Sequence, residues 1–132
     1  MIKLKTGNNT IALTLTEKTT IVFPVFLFRF VGKTTNNEYA FIAADVSNFK
    51  YRFNQFIIKC LNGAANPLLA EVKLVNGDEY KYYIYEQVSA TNLDYKLALN
   101  MVESGLMKFE KTIAKPKQYE KENNRRKEYI KT

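Results

Sequence analysis

The sequence predicts an all-β fold, a two-sheet antiparallel sandwich of immunoglobulin-like type, with a short helix and a basic C-terminal arm. Three observations carry that expectation. Short segments alternate apolar and polar residues with a period of two, polar or Gly/Asn/Pro-containing breaks separate them, and good helix formers are confined to one crossing and the tail. A chain of 132 residues is the usual size of one domain. We therefore expect a β-sandwich over residues 1–113 and an arm, helical or disordered, over 114–132.

Residues 10–16 give the clearest strand, with Ile11, Leu13 and Leu15 alternating against Thr10, Ala12, Thr14 and Thr16. Residues 21–31 form the next, with Phe26, Phe28 and Phe30 on one face and Val25, Leu27 and Arg29 on the other. Pro24 lacks a backbone N–H and marks the entry to that strand, an edge or a bulge. A polar loop over 32–38 then leads to a strand over 39–46, which pairs back as a hairpin. Residues 54–61 read as a strand and 62–67 as a loop. Strands over 70–75 and 80–85 flank Asn76-Gly77, a dipeptide whose tolerance of positive φ predicts a tight hairpin between them. Residues 92–102 read as a short helix or an irregular crossing, and Ser104-Gly105 as the opening of a last strand from 106 to about 113. The expected core includes Leu13, Leu15, Leu27, Phe41, Ile58, Leu74 and Ile84.

Composition narrows the chemistry. The chain has no histidine, which removes the commonest general base, the commonest metal ligand and the third member of most nucleophilic triads. Cys60, the single cysteine, lies in the apolar alternation Phe56, Ile58, Cys60 and reads as a small buried hydrophobe. We therefore expect no catalytic residues, no metal site, no cofactor and no enzymatic activity. Asp45, Asp78, Glu79, Glu86 and Glu103 are the carboxylates from which a sugar-hydrolysing pair would be drawn, but no sequence spacing pairs them. Gly32-Lys33-Thr34 matches the end of a phosphate-binding loop, yet the earlier glycine and the following helix are missing. The longest apolar run, 21–28, is broken by Pro24 and is far short of the roughly 20 residues of a membrane span. The first residues alternate apolar and basic, which predicts no signal peptide and no membrane partner.

Two features invite a binding role. Tyr80, Tyr82, Tyr83 and Tyr85 put rings on both faces of one strand, and Phe49, Tyr51, Phe53 and Phe56 stand beside Lys50 and Arg52. Both groups suit stacking on sugars or bases, and both are equally ordinary strand formers. From residue 114 the composition turns basic: seven Lys or Arg against three Glu leave +4 of the chain's +7 in residues 114–132. Tyr119, Glu122, Arg126 and Ile130 recur there at helical spacing and, with Arg125, form the expected partner-binding face. The interleaved glutamates favour a protein partner over nucleic acid, and a purely solubilising end is the plain alternative.

Several stretches in order resemble a family of small virion structural proteins of crAss-like and related Bacteroidetes tailed phages. They are Ile11-Ala-Leu-Thr-Leu-Thr-Glu-Lys18, Phe26-Leu-Phe-Arg-Phe30, Phe41-Ile-Ala-Ala-Asp-Val-Ser47, Asn66-Pro-Leu68 with Glu71-Val72, Tyr82-Tyr-Ile-Tyr-Glu-Gln87, and Asn92-Leu-Asp94 with Val102-Glu-Ser-Gly105. The resemblance spans residues 8–112 and departs from the family beyond 114. It implies a virion location, a β-sandwich body, other virion proteins as partners and a homo-oligomer in the particle. A neck or tail ring or collar is the favoured position. A head decoration, a fibre base or a carbohydrate-binding adhesin-like module is the alternative.

Overall fold

The computed structural model describes residues 1–49, 52–74 and 79–110. The described residues form eight strands in two packed sheets: β1 (Ile2–Lys5), β2 (Gly7–Leu13), β3 (Val25–Gly32), β4 (Glu38–Ala43), β5 (Asn54–Cys60), β6 (Glu71–Val72), β7 (Glu79–Gln87) and β8 (Asn100–Glu110). The larger sheet has the order β1-β8-β7-β3-β4 and the smaller β2-β5-β6. This is the all-β sandwich the sequence predicts.

Phenylalanine alternation dictates the interior. Phe26, Phe28 and Phe30 of β3 point to the smaller sheet, and their partners are set by register, with Phe28 opposite both Phe41 and Ile84. Phe56 of β5 closes the stack edge-on, its ring centroid 5.5 Å from Phe26 and 5.0 Å from Phe28. Burying each such ring removes apolar surface worth about 2–3 kcal/mol. Of the expected core, Leu15, Leu27, Phe41, Ile58, Leu74 and Ile84 are buried, while Leu13 is half-buried against the cluster. Leu27 belongs to a second cluster with Ile42 and Tyr85 on the outer face of the larger sheet.

Three expectations are corrected. The sandwich is not wholly antiparallel, since β1 runs parallel to β8 and β5 parallel to β6. In the second case residues 61–70 carry the chain back along β5 before β6 begins, as a parallel pair requires. The hairpin across Asn76-Gly77 does not form: β6 lies in the smaller sheet and β7 in the larger, paired with β3 and β8. Residues 75–78 themselves lie outside the described residues. Of the two readings of 92–102 the irregular crossing is the one found, over 92–99 with a single 3-10 turn, Tyr95–Leu97, because the Asp94 side chain accepts from the Lys96 N–H at 2.9 Å and competes with helix; residues 100–102 already belong to β8. Finally, Ser104-Gly105 stands inside β8, opposite Tyr83 and Tyr82, instead of opening it. The first residues, left unassigned above, form edge strand β1, whose Ile2 and Leu4 join the core.

The corner between the sheets is built by one side chain. Asn9 is buried, its Oδ1 accepting from the Lys5 N–H at 2.9 Å while its Nδ2 donates to the carbonyls of Lys5, Gly7 and Ile58. Gly7, at φ 102°, supplies the turn from β1 into β2.

Candidate functional site

Each carboxylate singled out by the sequence and described here is engaged structurally. Asp45 accepts from the Ser47 N–H at 2.9 Å, the Gln55 N–H at 3.0 Å and Asn54 Nδ2 at 2.7 Å. Glu103 accepts from the Tyr82 hydroxyl at 2.8 Å and pairs with Lys18 at 3.0 Å. Burial, then that carboxylate's hydrogen bond and charge, holds the Tyr82 hydroxyl above its usual pKa of 10. Glu79 pairs with Lys33 at 3.4 Å, and Asp78 lies outside the described residues. Glu86 is fully buried; the Thr20 N–H and hydroxyl donate to it at 2.8 Å each, and Asn100 Nδ2 at 3.0 Å. Burial alone would raise its pKa, but those donors outweigh it and hold the carboxyl below the ordinary 4.5.

Cys60 is buried next to Asn9, and desolvation pushes its thiol up to about 11, so it stays protonated and unreactive at neutral pH. Among the described residues no group of three or more His, Cys, Asp or Glu side chains stands close enough to hold a metal ion. Gly32-Lys33-Thr34 closes the β3–β4 loop, where the Gly32 N–H donates to the Asn37 carbonyl and the Asn36 N–H to that of Gly32.

The tyrosines do not form a solvent-facing row. Tyr80 and Tyr82 fill the interior, while Tyr83 and Tyr85 lie on the outer face beneath a cover. Tyr95 packs 5.6 Å from Tyr85, and the Arg29 guanidinium sits 4.0 Å from the Tyr95 ring and 5.1 Å from that of Tyr83. Phe56 is core, Phe49 and Phe53 tilt against each other at 6.4 Å, and Lys50 and Tyr51 lie outside the described residues. The expected partner-binding face of Tyr119, Glu122, Arg125, Arg126 and Ile130 also lies outside them.

The structure brings together a site the sequence reading missed. A groove of about 950 Å³ opens at the β4 side of the sandwich. Val22, Phe23, Val46, Ile57, Leu68 and Leu69 stand exposed along it, Val22 at 83% and Phe23 at 90%. Ile57 projects from β5, and three local devices hold the others out. Glu86 grips Thr20 at the root of the 21–24 segment, which Pro24 ends as β3 begins. Asp45 and a Val46 N–H bond to the Gln55 carbonyl at 2.8 Å fix the exit from β4. The 3-10 turn Pro67–Leu69 is capped by Asn66, which accepts from the Leu68 N–H, and ends at Ala70 in a left-handed conformation at φ 60°. A non-glycine residue there is strained, so the turn is held by its surroundings. The available signal was Ile21-Val22-Phe23, three consecutive apolar residues before a proline, which no single strand face can bury.

No family model and no curated protein matches the chain. Among solved structures it is similar to one from Bacteroides vulgatus, described as a putative glycoside hydrolase, at 10% identity and a TM-score of 0.42. The alignment covers 86% of this chain and 17% of that one, so the chain corresponds to a small part of that protein.

Proposed function

We propose that this chain is a non-catalytic assembly protein that captures a neighbouring protein subunit in the apolar groove at its β4 side, and that its setting is a phage virion, at a ring or collar of the neck or tail. The observation that carries the reading is the set of six exposed apolar side chains along one groove, five of them on connections fixed by hydrogen bonds and the sixth, Ile57, on β5. Phe23 at 90% exposure is costly in water, and seating it in a partner gains about 2 kcal/mol or more. A protein surface with apolar anchors supplies that seat; a sugar needs an exposed aromatic row, and the tyrosines of β7 are covered. The virion setting rests on the resemblance of the strand sequences and is independent of the groove.

The test is mass spectrometry of purified particles with copy-number measurement, run on wild type and on Phe23→Ser/Leu69→Ser. A copy number at a small ring multiple is expected, with the double variant lost from particles while its isolated body still melts as wild type does. Hundreds of copies would move the protein to the head. Absence from particles would remove the virion setting, and normal incorporation of the double variant would remove the groove.

A further inference from the structure

The opposite end of the molecule carries a surface of different chemistry. On the outer face of the larger sheet, Lys3 and Lys5 of β1, Lys108 of β8 and Lys81 of β7 all stand exposed. Register places them together: Lys3 lies directly opposite Lys108, Lys5 opposite Glu110, Lys108 opposite Glu79 and Lys81 opposite Leu106. Neighbouring strands are about 4.8 Å apart, and alternate residues along a strand about 6.8 Å, so four ammonium groups share a small patch. Two carboxylates border it, and each already has a cation: Glu110 pairs with Lys108 at 3.6 Å and Glu79 with Lys33 at 3.4 Å. Lys3, Lys5 and Lys81 form no ion pair among the described residues. Like charges directly opposite on paired strands are unfavourable in the isolated molecule, and an anion laid across them removes that repulsion.

We infer that this lysine face, Lys3, Lys5, Lys81 and Lys108 on β1, β7 and β8, binds the phosphate backbone of nucleic acid without reading its sequence. The face offers point charges and little else, Leu106 being the exposed apolar side chain among these rows. An acidic protein partner needs a buried apolar anchor; Leu106 alone stands in these rows, while six exposed apolar side chains line the groove, beyond the other end of β3. Base readout needs planar forks or open rings, and the neighbouring Arg29 and Tyr83 are engaged with Tyr95 and with each other. Ammonium groups spaced across strands suit phosphates. The charge also continues in sequence. The described chain ends at Glu110, beside Lys5, and residues 111–132 hold eight Lys or Arg against three Glu, +5 of the total +7.

The test is fluorescence anisotropy of the full chain with a labelled, mixed-sequence DNA duplex over a salt series. Log affinity should fall linearly with log salt. Lys3→Gln/Lys5→Gln/Lys81→Gln should weaken binding about tenfold or more at low salt and flatten the salt slope by about 2–3, near 0.9 for each cation removed. A charge-matched control, Arg52→Gln/Lys59→Gln/Lys73→Gln, should stay within about twofold of wild type. Thermal melts show whether each variant is folded, and if the first triple variant is not, Lys5→Gln/Lys81→Gln replaces it. Equal losses in the face and control variants, a face variant that binds as wild type does, or no binding at all would overturn the assignment. So would displacement of the duplex by polyglutamate at equal charge, which would mark the face as a site for acidic protein.

Discussion

At the scale of single residues, polar side chains in this protein are fasteners. Glu86 ties the 20–24 segment to β8 through Thr20 and Asn100, and its lowered pKa couples that tie to pH. A carboxyl whose folded pKa lies below its unfolded value stabilises fully above about pH 4.5, and the contribution is lost as pH falls through the folded value. Urea unfolding of wild type and Glu86→Gln should therefore differ most above that pH and converge in acid. Gly105 is a second sensitive point: a Cβ there would meet the buried Tyr82 ring at 2.8 Å, and the ring is held by its bond to Glu103. Gly105→Ala should cost about 1–3 kcal/mol in the same assay. The sequence showed these residues without their roles. Glu86 reads as one carboxylate among several, and Gly105 as a turn, because the partner that fixes each one lies 14 or more positions away.

Elements were legible where one face is buried, since alternation then records the sheet directly. The β3–β4 hairpin, β5 and residues 10–13 of β2 are of this kind, whereas 14–16 of the expected strand lead out of β2 into a 3-10 turn. Pairing was less legible. Asn76-Gly77 is a local signal, and it lost to two strands, β3 and β8, that offer β7 partners along its length. The groove escaped for a related reason, as it is assembled from three connections whose proximity no local pattern states. The crossing over 92–99 shows what an irregular segment contributes, since Tyr95, Leu93 and Ala98 roof the second cluster over Leu27 and Tyr85. Tyr95→Ala should uncover those side chains and release Arg29. A loss of about 1–3 kcal/mol in chemical denaturation is expected, whereas Phe23→Ser, at an exposed site, should stay within about 0.5 kcal/mol of wild type.

At the scale of the molecule, the pairing of β1 with β8 sets the mechanical behaviour of the described body. β1 and β8 lie parallel, with Ile2 beside Met107 and Lys5 beside Glu110. Tension applied at residues 1 and 110 drags these two strands past each other along their length. The ladder is then loaded in shear, with its hydrogen bonds sharing the force, instead of being unzipped one bond at a time as when strands are peeled from a single end. The body should thus resist stretching between residues 1 and 110 far better than pulling across the sheet. Single-molecule force spectroscopy would measure this, with anchors at residues 1 and 110 giving a higher rupture force than anchors at 1 and 36, a position in the β3–β4 loop. Equal forces along the two axes would show that the β1–β8 ladder is not the clamp. A subunit with such a clamp transmits load along one direction and yields along another, a grain fixed by which way its first strand runs.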